Sequence, residues 1–292
     1  MKRRIWHRLH DRSWSEVGKL LSRAAKIPEP AGTDTSSISA SMPWARIADA
    51  YAGGNLTSHH YRRTNAVRDI VETVGAEEGR FYARRIREWG ARWLTDPRIE
   101  GIDAWGDPIR WPGFLLGTPR AFSPTTLRYL ATALWLEKSG YLTSGANINE
   151  IGVGFGGLAA MNALVSDAST TLVDLPQVER AALRMLDENQ LTGCAHSAVE
   201  SDGATLDLVI SNYAFTELNA KIQEDYFHKY LKRATRGVIV SNSSVFAKSI
   251  QGRSDEQLVT WFRSEGLDAR LDSSNEILSP GDHLNGVTLI HW

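Results

Sequence analysis

The sequence has little of what several classes of protein depend on. It contains a single cysteine, Cys194, which excludes an internal disulfide and a metal site built from several cysteines. A chain without a disulfide framework fits the reducing cytosol, so we expect a cytoplasmic protein. No apolar run approaches the roughly 18 residues of a transmembrane helix, and no apolar signal segment follows the basic residues 1–4. No membrane association is therefore predicted.

An excess of charge of either sign is also missing. The 33 basic and 34 acidic side chains leave a net charge of −1 with histidine neutral. A nucleic-acid-binding protein needs a basic face, so the balance argues against a nucleic-acid partner. The hydrophobic fraction of 42% and the charged fraction of 23% are typical of a soluble globular protein, which excludes a wholly disordered chain and a collagen.

Composition divides the chain into three regions. A domain has roughly 100–200 residues, so 292 residues predict one large or two unequal domains. Residues 1–42 are predicted to be an N-terminal helix followed by a linker rich in Gly, Ser and Thr. Residues 43–122 are predicted to be a mainly helical lid or acceptor region, with a long structured loop over residues 95–120. Residues 123–292 are predicted to bind the cofactor.

Strands and helices alternate in this last region, after a predicted helix over residues 123–138. The predicted strands are 148–153, 170–175, 206–211, 237–241, 267–271 and 286–292, and the helices between them are 157–165, 176–189, one within 219–234, and 254–265. This alternation predicts an α/β sheet with helices on both faces. A loop of about 14 residues without a helix joins the last two strands, which makes them antiparallel.

A glycine-rich turn over residues 149–158 is the sharpest local signal. It lies between a predicted strand and a predicted helix, and Gly152 and Gly154 allow the backbone to approach a ligand closely. Asp174 ends the next strand, 20 residues after Gly154, where a carboxylate can accept hydrogen bonds from ribose hydroxyls. Together these residues predict an adenosine-type cofactor at the carboxyl edge of the sheet.

Two cofactors fit such a turn. Gly152, Gly154 and Gly157 satisfy the GxGxxG pattern of a nicotinamide-binding fold, so an NAD(P)-dependent oxidoreductase is one alternative. Glu150 opposes it, because a dinucleotide fold usually has a buried apolar side chain at that place, and so does the predicted antiparallel end of the sheet. A non-catalytic scaffold that only binds the cofactor is a further alternative.

The pattern Glu150-x-Gly-x-Gly-x-Gly, an aspartate ending the second strand and a reversed last strand resemble class I S-adenosylmethionine-dependent methyltransferases. The amino-acid sequences of three segments resemble those of sugar O-methyltransferases of bacterial glycan and natural-product clusters: residues 150–159, 172–178 and 209–218. The resemblance covers about residues 123–292. The resemblance implies a Rossmann-like class I methyltransferase sheet with an antiparallel last strand. It also implies that Asp174 binds ribose and that the cofactor's amino-acid portion lies against Gly152, Gly154 and Gly156.

Further side chains complete the predicted cofactor site. Many methyltransferases have an acid after the third strand to bind adenine, whereas this chain offers Ser197 or backbone amides there. Helix 123–138 precedes the first strand, and its Arg128 or Tyr129 can reach the cofactor's carboxylate. The remaining members of the predicted site are Glu150, Leu175, Asn212 and Tyr213.

Methyl transfer to a sugar hydroxyl needs a base, because the hydroxyl is a weak acid, and a positioned base contributes about 10²–10⁴-fold. Residues 279–285 precede an antiparallel last strand and are therefore expected to overhang the active-site edge. His283 is the first candidate for the base, with Asp282 as a group that orients it. His196, predicted to follow a short strand at the same edge, is the second candidate, and Glu217 the third.

The predicted reaction is transfer of a methyl group from S-adenosylmethionine to a hydroxyl of a sugar or glycosylated small molecule. Trp105 and Trp111 can stack on sugar rings or pin a loop to the core. Trp6 and Trp14 suggest a homodimer contact. No metal-ligand spacing is present in the sequence, so no metal site is assigned.

Overall fold

A seven-stranded sheet lies at the centre of the structure, a computed structural model that describes residues 43–198 and 206–292. Its strands are β1 (Asn147–Ile151), β2 (Ser169–Val173), β3 (Ala195–Ser197), β4 (Leu206–Asn212), β5 (Ala234–Ser241), β6 (Arg270–Asp272) and β7 (Thr288–His291). They are ordered β3-β2-β1-β4-β5-β7-β6, with β1 to β5 parallel and β7 antiparallel to both of its neighbours. The predicted Rossmann-like methyltransferase sheet with a reversed last strand is confirmed.

Within the described residues, six α-helices precede the sheet in sequence, and six lie between or beside its strands. The first six are α1 (Trp44–Ala52), α2 (Asn65–Arg68), α3 (Ala76–Gly90), α4 (Pro97–Ala104), α5 (Gly113–Leu116) and α6 (Pro124–Lys138). The others are α7 (Gly157–Ser166), α8 (Pro176–Glu188), α9 (Ala220–Tyr226), α10 (Ser243–Ile250), α11 (Asp255–Ser264) and α12 (Pro280–Leu284). Trp6, Trp14 and the predicted N-terminal helix and linker lie outside the described residues.

Alternating side chains of the strands enter two cores, one on each face of the sheet. On β4, Leu208 and Ile210 join the larger core, whereas Val209 packs with Phe227 and Phe262 in the smaller one. The larger core also contains buried residues of α1, α3 and α6. The helices of residues 43–122 therefore share one apolar interior with the sheet.

A buried arginine fastens this helical region to the glycine-rich turn. Arg62 is fully buried, and its Nε donates to Glu72 Oε1 at 2.6 Å while its Nη2 donates to Ser123 Oγ at 3.1 Å. The same guanidinium lies over the ring of Phe155, 4.4 Å from its centroid. Because Phe155 belongs to the turn, this contact places the segment around Glu72 directly beside the predicted cofactor site.

Two predicted loops contain helices. Residues 95–120 include α4 and α5, because Asp96 accepts a hydrogen bond from the Arg98 amide at 2.8 Å and Pro97 begins α4. Residues 279–285, in the predicted loop between the last two strands, include α12. Local composition missed them because short helices are stabilised by their caps and by packing more than by their own propensity.

None of the helices in residues 43–198 and 206–292 combines the length and the apolar character that a membrane span requires.

Candidate active site

A cavity of about 670 Å³ opens at the carboxyl edge of the sheet. Its walls come from the segments that follow β1, β2, β4 and β5, and from α12. The helical region covers it with a group of residues that we call the roof: Trp44, Asp69, Ile70, Val71, Thr73, Val74, Glu78 and Tyr82. The predicted site residues in the lining are Arg128, Tyr129, Glu150, Gly152, Gly154, Asp174, Leu175, Asn212, Tyr213 and Glu217.

The glycine-rich turn leaves room for a ligand. Gly152 and Gly154 adopt positive φ angles of 80° and 56°. A Cβ atom on Gly152 would lie 2.0 Å from the Cβ of Ala214, so this position is closed to any side chain. A Cβ on Gly154 would meet nothing closer than the Tyr129 hydroxyl at 3.6 Å, which leaves the backbone there open to the cavity.

Asp174 is held at the cavity wall by the turn itself. Its Oδ2 accepts a hydrogen bond from the Val153 amide at 2.9 Å, and its Oδ1 accepts one from the Leu175 amide at 2.7 Å. Burial raises the pKa of Asp174 to about 6, although these amides oppose the shift. The buried Glu179 accepts hydrogen bonds from the Asp174 amide and from the Ser197 hydroxyl.

Four residues of the lining each have a buried polar atom without a hydrogen-bond partner in the described parts of the chain: Trp44 Nε1, Glu150 Oε2, Asn212 Oδ1 and Arg128 Nε. Leaving a buried polar group unpaired costs about 1–3 kcal/mol, so such groups mark a place for a ligand. Burial, with a smaller contribution from the charge of Asp174, raises the pKa of Glu150 well above its usual value. The acceptors on Glu150 and Asn212 and the donor on Arg128 complement the ammonium and carboxylate of an α-amino acid group.

Tyr213, which follows β4, has a φ of 70°, a strained conformation for a residue with a side chain. Its hydroxyl donates to Asp282 Oδ1 at 2.9 Å. Asp282 Oδ2 accepts from the hydroxyl of Tyr82 at 3.2 Å and from the amide of Ser279 at 2.7 Å. Asp282 therefore ties α12 to the end of β4 and to the roof, and it does not orient His283.

Glu217 lies in the wall at the end of the short helical turn after β4. Its Oε1 accepts a hydrogen bond from Asn242 Nδ2 at 2.7 Å, and the Oδ1 of Asn242 lies 2.8 Å from the hydroxyl of Thr216. Burial raises the pKa of Glu217, and the Asn242 hydrogen bond opposes the shift. A carboxylate with a raised pKa is a stronger base than one in water.

The two predicted histidine bases do not reach the cavity. His283 is exposed and lies outside the lining, because Ser279 caps α12 and the helical turn directs Gly281, Asp282 and Asn285 inward instead. His196 lies within β3 rather than after it. Its Nε2 is 2.7 Å from the hydroxyl of Thr171 on β2, and it too lies outside the lining.

Two predicted cofactor residues also lie outside the cavity lining. Gly156 is the residue that precedes α7, and a Cβ there would lie 3.0 Å from Met185 Cε and 3.2 Å from Ala182 Cβ, so it serves close packing between helices. Ser197 donates its hydroxyl to Glu179.

Trp105 belongs to the core and not to a sugar-binding surface. It is buried, its ring stacks on Phe155 at 5.7 Å between centroids, and its Nε1 donates to Glu188 at 2.8 Å. Trp111 pairs through its backbone with Phe122 and lies outside the lining. Both tryptophans therefore hold the segment between α4 and α6 in place.

The prediction that residues 43–122 form a lid did not name the residues of the roof. Nothing local in the sequence distinguishes these residues from other helix surfaces. Between residues 65 and 74 only α2 is helical, and the chain after Arg68 runs over the cavity. In the described ranges, no group of three or more His, Cys, Asp or Glu side chains is arranged to hold a metal ion.

Neither protein-family models nor curated proteins match this chain. A Haemonchus contortus phosphoethanolamine N-methyltransferase 2 has a similar fold, with 19% identity and a TM-score of 0.39 over 48% of this chain and 38% of that chain. A SAM-dependent methyltransferase from Aquifex aeolicus has 14% identity and a TM-score of 0.41 over 55% of this chain and 87% of that chain. A Streptomyces coelicolor geranyl diphosphate C-methyltransferase has 15% identity and a TM-score of 0.43 over 55% of this chain and 77% of that chain. The match spans well under two thirds of the nematode protein. At these values the likeness concerns the fold and carries no argument about the reaction.

Proposed function

We propose that this chain is an S-adenosylmethionine-dependent O-methyltransferase acting on a hydroxyl of a sugar or a glycosylated small molecule. The proposal rests on one observation above all. Three unpartnered polar atoms, Glu150 Oε2, Asn212 Oδ1 and Arg128 Nε, lie in the same cavity as Asp174. An α-amino acid group and a ribose diol on one ligand would satisfy all four side chains, and S-adenosylmethionine carries both.

The same residues argue against a nicotinamide cofactor. A dinucleotide carries no α-amino acid group, and its pyrophosphate would be an anion placed near Glu150 and Asp174. The reversed β7 also departs from the all-parallel sheet that is usual for dinucleotide binding.

Each part of the cofactor has a group that fits it. Glu150 and Asn212 would accept hydrogen bonds from its ammonium group, Arg128 would donate to its carboxylate, and Asp174 would accept from its ribose hydroxyls. Gly154 would allow the backbone to lie against it. When bound, S-adenosylmethionine supplies an electrophilic methyl group on a sulfonium, whose sulfur keeps the bonding electron pair and becomes a neutral thioether.

Glu217 is the base that the geometry favours. It lies in the cavity wall, its pKa is raised by burial, and the amide of Asn242 holds one of its oxygens in place. As the acceptor oxygen forms its bond to the methyl carbon, the hydroxyl proton passes to the Glu217 carboxylate. Glu217 therefore has the role of base that the sequence analysis predicted for His283.

The lining beyond the residues assigned to the cofactor and the base supports a sugar-like acceptor. It includes polar groups of Thr73, Asn242 and Asn285 and the aromatic rings of Trp44 and Phe246. A sugar presents hydroxyls at its edges and apolar C–H faces, so it can use both kinds of surface.

The first experiment is calorimetric titration of the protein with S-adenosylhomocysteine and, separately, with NADH. Micromolar binding of S-adenosylhomocysteine alone is expected. Binding of NADH alone would overturn the cofactor assignment. Cofactor binding without turnover on any of a broad panel of sugars and glycosides would instead favour a non-catalytic scaffold.

The second experiment separates the two candidate bases. Glu217→Gln should lower kcat by about 10²–10⁴-fold with little change in the affinity for S-adenosylhomocysteine, because only proton transfer is lost. His283→Ala is the matched control and should keep near-full turnover. The same loss in both variants, or in His283→Ala alone, would refute the role of Glu217.

A further inference from the structure

The charges that line the cavity are strongly unbalanced. Among the residues that the structure describes, Arg128 is the one basic side chain in the lining, whereas six carboxyl groups line it: Asp69, Glu78, Glu150, Asp174, Glu217 and Asp282. Within residues 43–198 and 206–292, none of the six forms an ion pair with a lysine, arginine or histidine. The unpartnered Oε2 of the buried Glu150 points to the same deficit of positive charge.

The cofactor assigned above accounts for only part of this charge. Its ammonium group fits Glu150, its carboxylate fits Arg128, and its ribose fits Asp174. Asp69 and Glu78 in the roof remain as carboxylates without a cation, and Glu217 remains as the base. Asp282 on α12 already interacts with the charge of Arg128. The part of the cavity left for the acceptor is therefore acidic.

An acidic, partly enclosed cavity selects ligands by charge. Walls of low dielectric constant strengthen the field of their charges, so a cation is attracted and a phosphate is repelled. The aromatic faces of Trp44 and Tyr82 in the roof can add cation–π attraction. Asp69 is exposed and Glu78 partly buried, so both are accessible from the cavity.

We propose that the acceptor carries an ammonium group beside its hydroxyls, as in an amino sugar or aminoglycoside, and that Asp69 and Glu78 of the roof bind this group. The proposal rests on the proposed methyltransferase function and narrows its substrate class. It excludes sugars attached to a nucleoside diphosphate, whose phosphates would meet no basic side chain other than Arg128 among the described residues of the lining.

The test uses three probes that differ in charge: kanamycin, which is cationic; fully N-acetylated kanamycin, which is neutral; and UDP-glucose, which is anionic. Each is titrated into the protein saturated with S-adenosylhomocysteine, and methyl transfer from S-adenosylmethionine is measured in parallel. Kanamycin should bind at least about tenfold more tightly than its N-acetylated form, and UDP-glucose should not bind. The preference should weaken as the ionic strength rises from about 0.02 M to about 0.3 M.

Two variants connect the preference to the roof. Asp69→Asn and Glu78→Gln each remove one negative charge, and glutamine keeps the capping hydrogen bond that Glu78 Oε2 accepts from the Gly75 amide at 3.1 Å. Together they should lower the affinity for kanamycin about tenfold or more and leave that for S-adenosylhomocysteine unchanged. Asp187→Asn, an exposed residue of α8 outside the cavity, is the control with the same change in charge and should have no effect.

Equal binding of both kanamycin forms, tighter binding of UDP-glucose, or no binding of kanamycin by a protein that binds S-adenosylhomocysteine would each overturn the proposal. An unchanged affinity in the double variant would show that the roof carboxylates do not bind the ammonium group. Failure of S-adenosylhomocysteine itself to bind would overturn the proposed function instead, so the two failures are distinguishable.

Discussion

The affinity for S-adenosylhomocysteine should fall as the pH falls through about 6. Burial raises the pKa of Asp174 to about 6, and only its ionised carboxylate can offer acceptors to ribose without losing one oxygen to a proton. At pH 5 about one tenth of this carboxyl is ionised, compared with nearly all of it at pH 7.5. The dissociation constant should therefore rise about tenfold, which corresponds to about 1.4 kcal/mol.

The same proton acts on the stability of the free protein in the opposite direction. The pKa of Asp174 is 3.8 in its unperturbed state and about 6 in the fold, so the fold binds the proton more tightly than the unfolded chain does. The resulting contribution to the free energy of unfolding is fully present below about pH 4 and is lost as the pH rises through about 6. Lowering the pH should thus weaken ligand binding while this group stabilises the fold.

Calorimetric titrations at pH 7.5, 6 and 5 measure the first effect, and thermal unfolding over the same range measures the second. Asp174→Asn is the control, because asparagine does not titrate. The variant should bind S-adenosylhomocysteine weakly at every pH, and the difference in stability between the two proteins should change with pH as described. A wild-type affinity that stays constant between pH 7.5 and 5, or that falls in parallel with that of Asp174→Asn, would refute this role of Asp174. Glu150→Gln should retain the effect, which separates it from titration of the neighbouring Glu150.

Two further predictions concern the fold around the site. Gly152→Ala should lower the free energy of unfolding, measured in urea, by about 2–5 kcal/mol, because the new Cβ would overlap Ala214 at a positive φ. Gly193→Ala is the control: Gly193 has a similar φ but lies in open space, so this change should lower the free energy of unfolding by only about 1 kcal/mol. Equal losses in the two variants would contradict the steric argument. Arg62→Met should destabilise the protein by about 3–5 kcal/mol, because Glu72 would be left as a buried carboxylate without its partner. The added change Glu72→Gln should restore part of that loss, and no recovery in the double variant would show that the ion pair is not the cause.

The sheet could be predicted from the sequence because its signals are local and repeated. Apolar runs such as the one at Leu208 and Ile210 alternate with amphipathic helices, and the glycine turn and Asp174 follow two of the strands. The carboxyl ends of parallel strands meet at one edge, so the sequence predicts that Asp174 and Asn212 lie close together. Both line the cavity.

His283 lies outside the cavity lining for a reason that the sequence could not reveal. Residues 279–285 do precede an antiparallel strand at the active-site edge, as expected. The capping of α12 by Ser279 turns Asp282 inward and His283 outward, and hydrogen bonds from Tyr82 and Tyr213 hold that orientation. Tyr82 and Asp282 are 200 residues apart in the chain, so no local pattern could have joined them.

The sequence by itself therefore determined the class of the fold, the edge of the sheet that carries the site, and the glycine turn with its partner Asp174. These follow from hydrophobic periodicity and from backbone conformations that only certain residues allow. Only the tertiary structure decided which side chains face the cavity, that Glu217 rather than His283 lies in its wall, and that the roof adds Asp69 and Glu78. Those features depend on contacts between segments distant in the chain, whose packing sets burial, pKa and the balance of charge at the site.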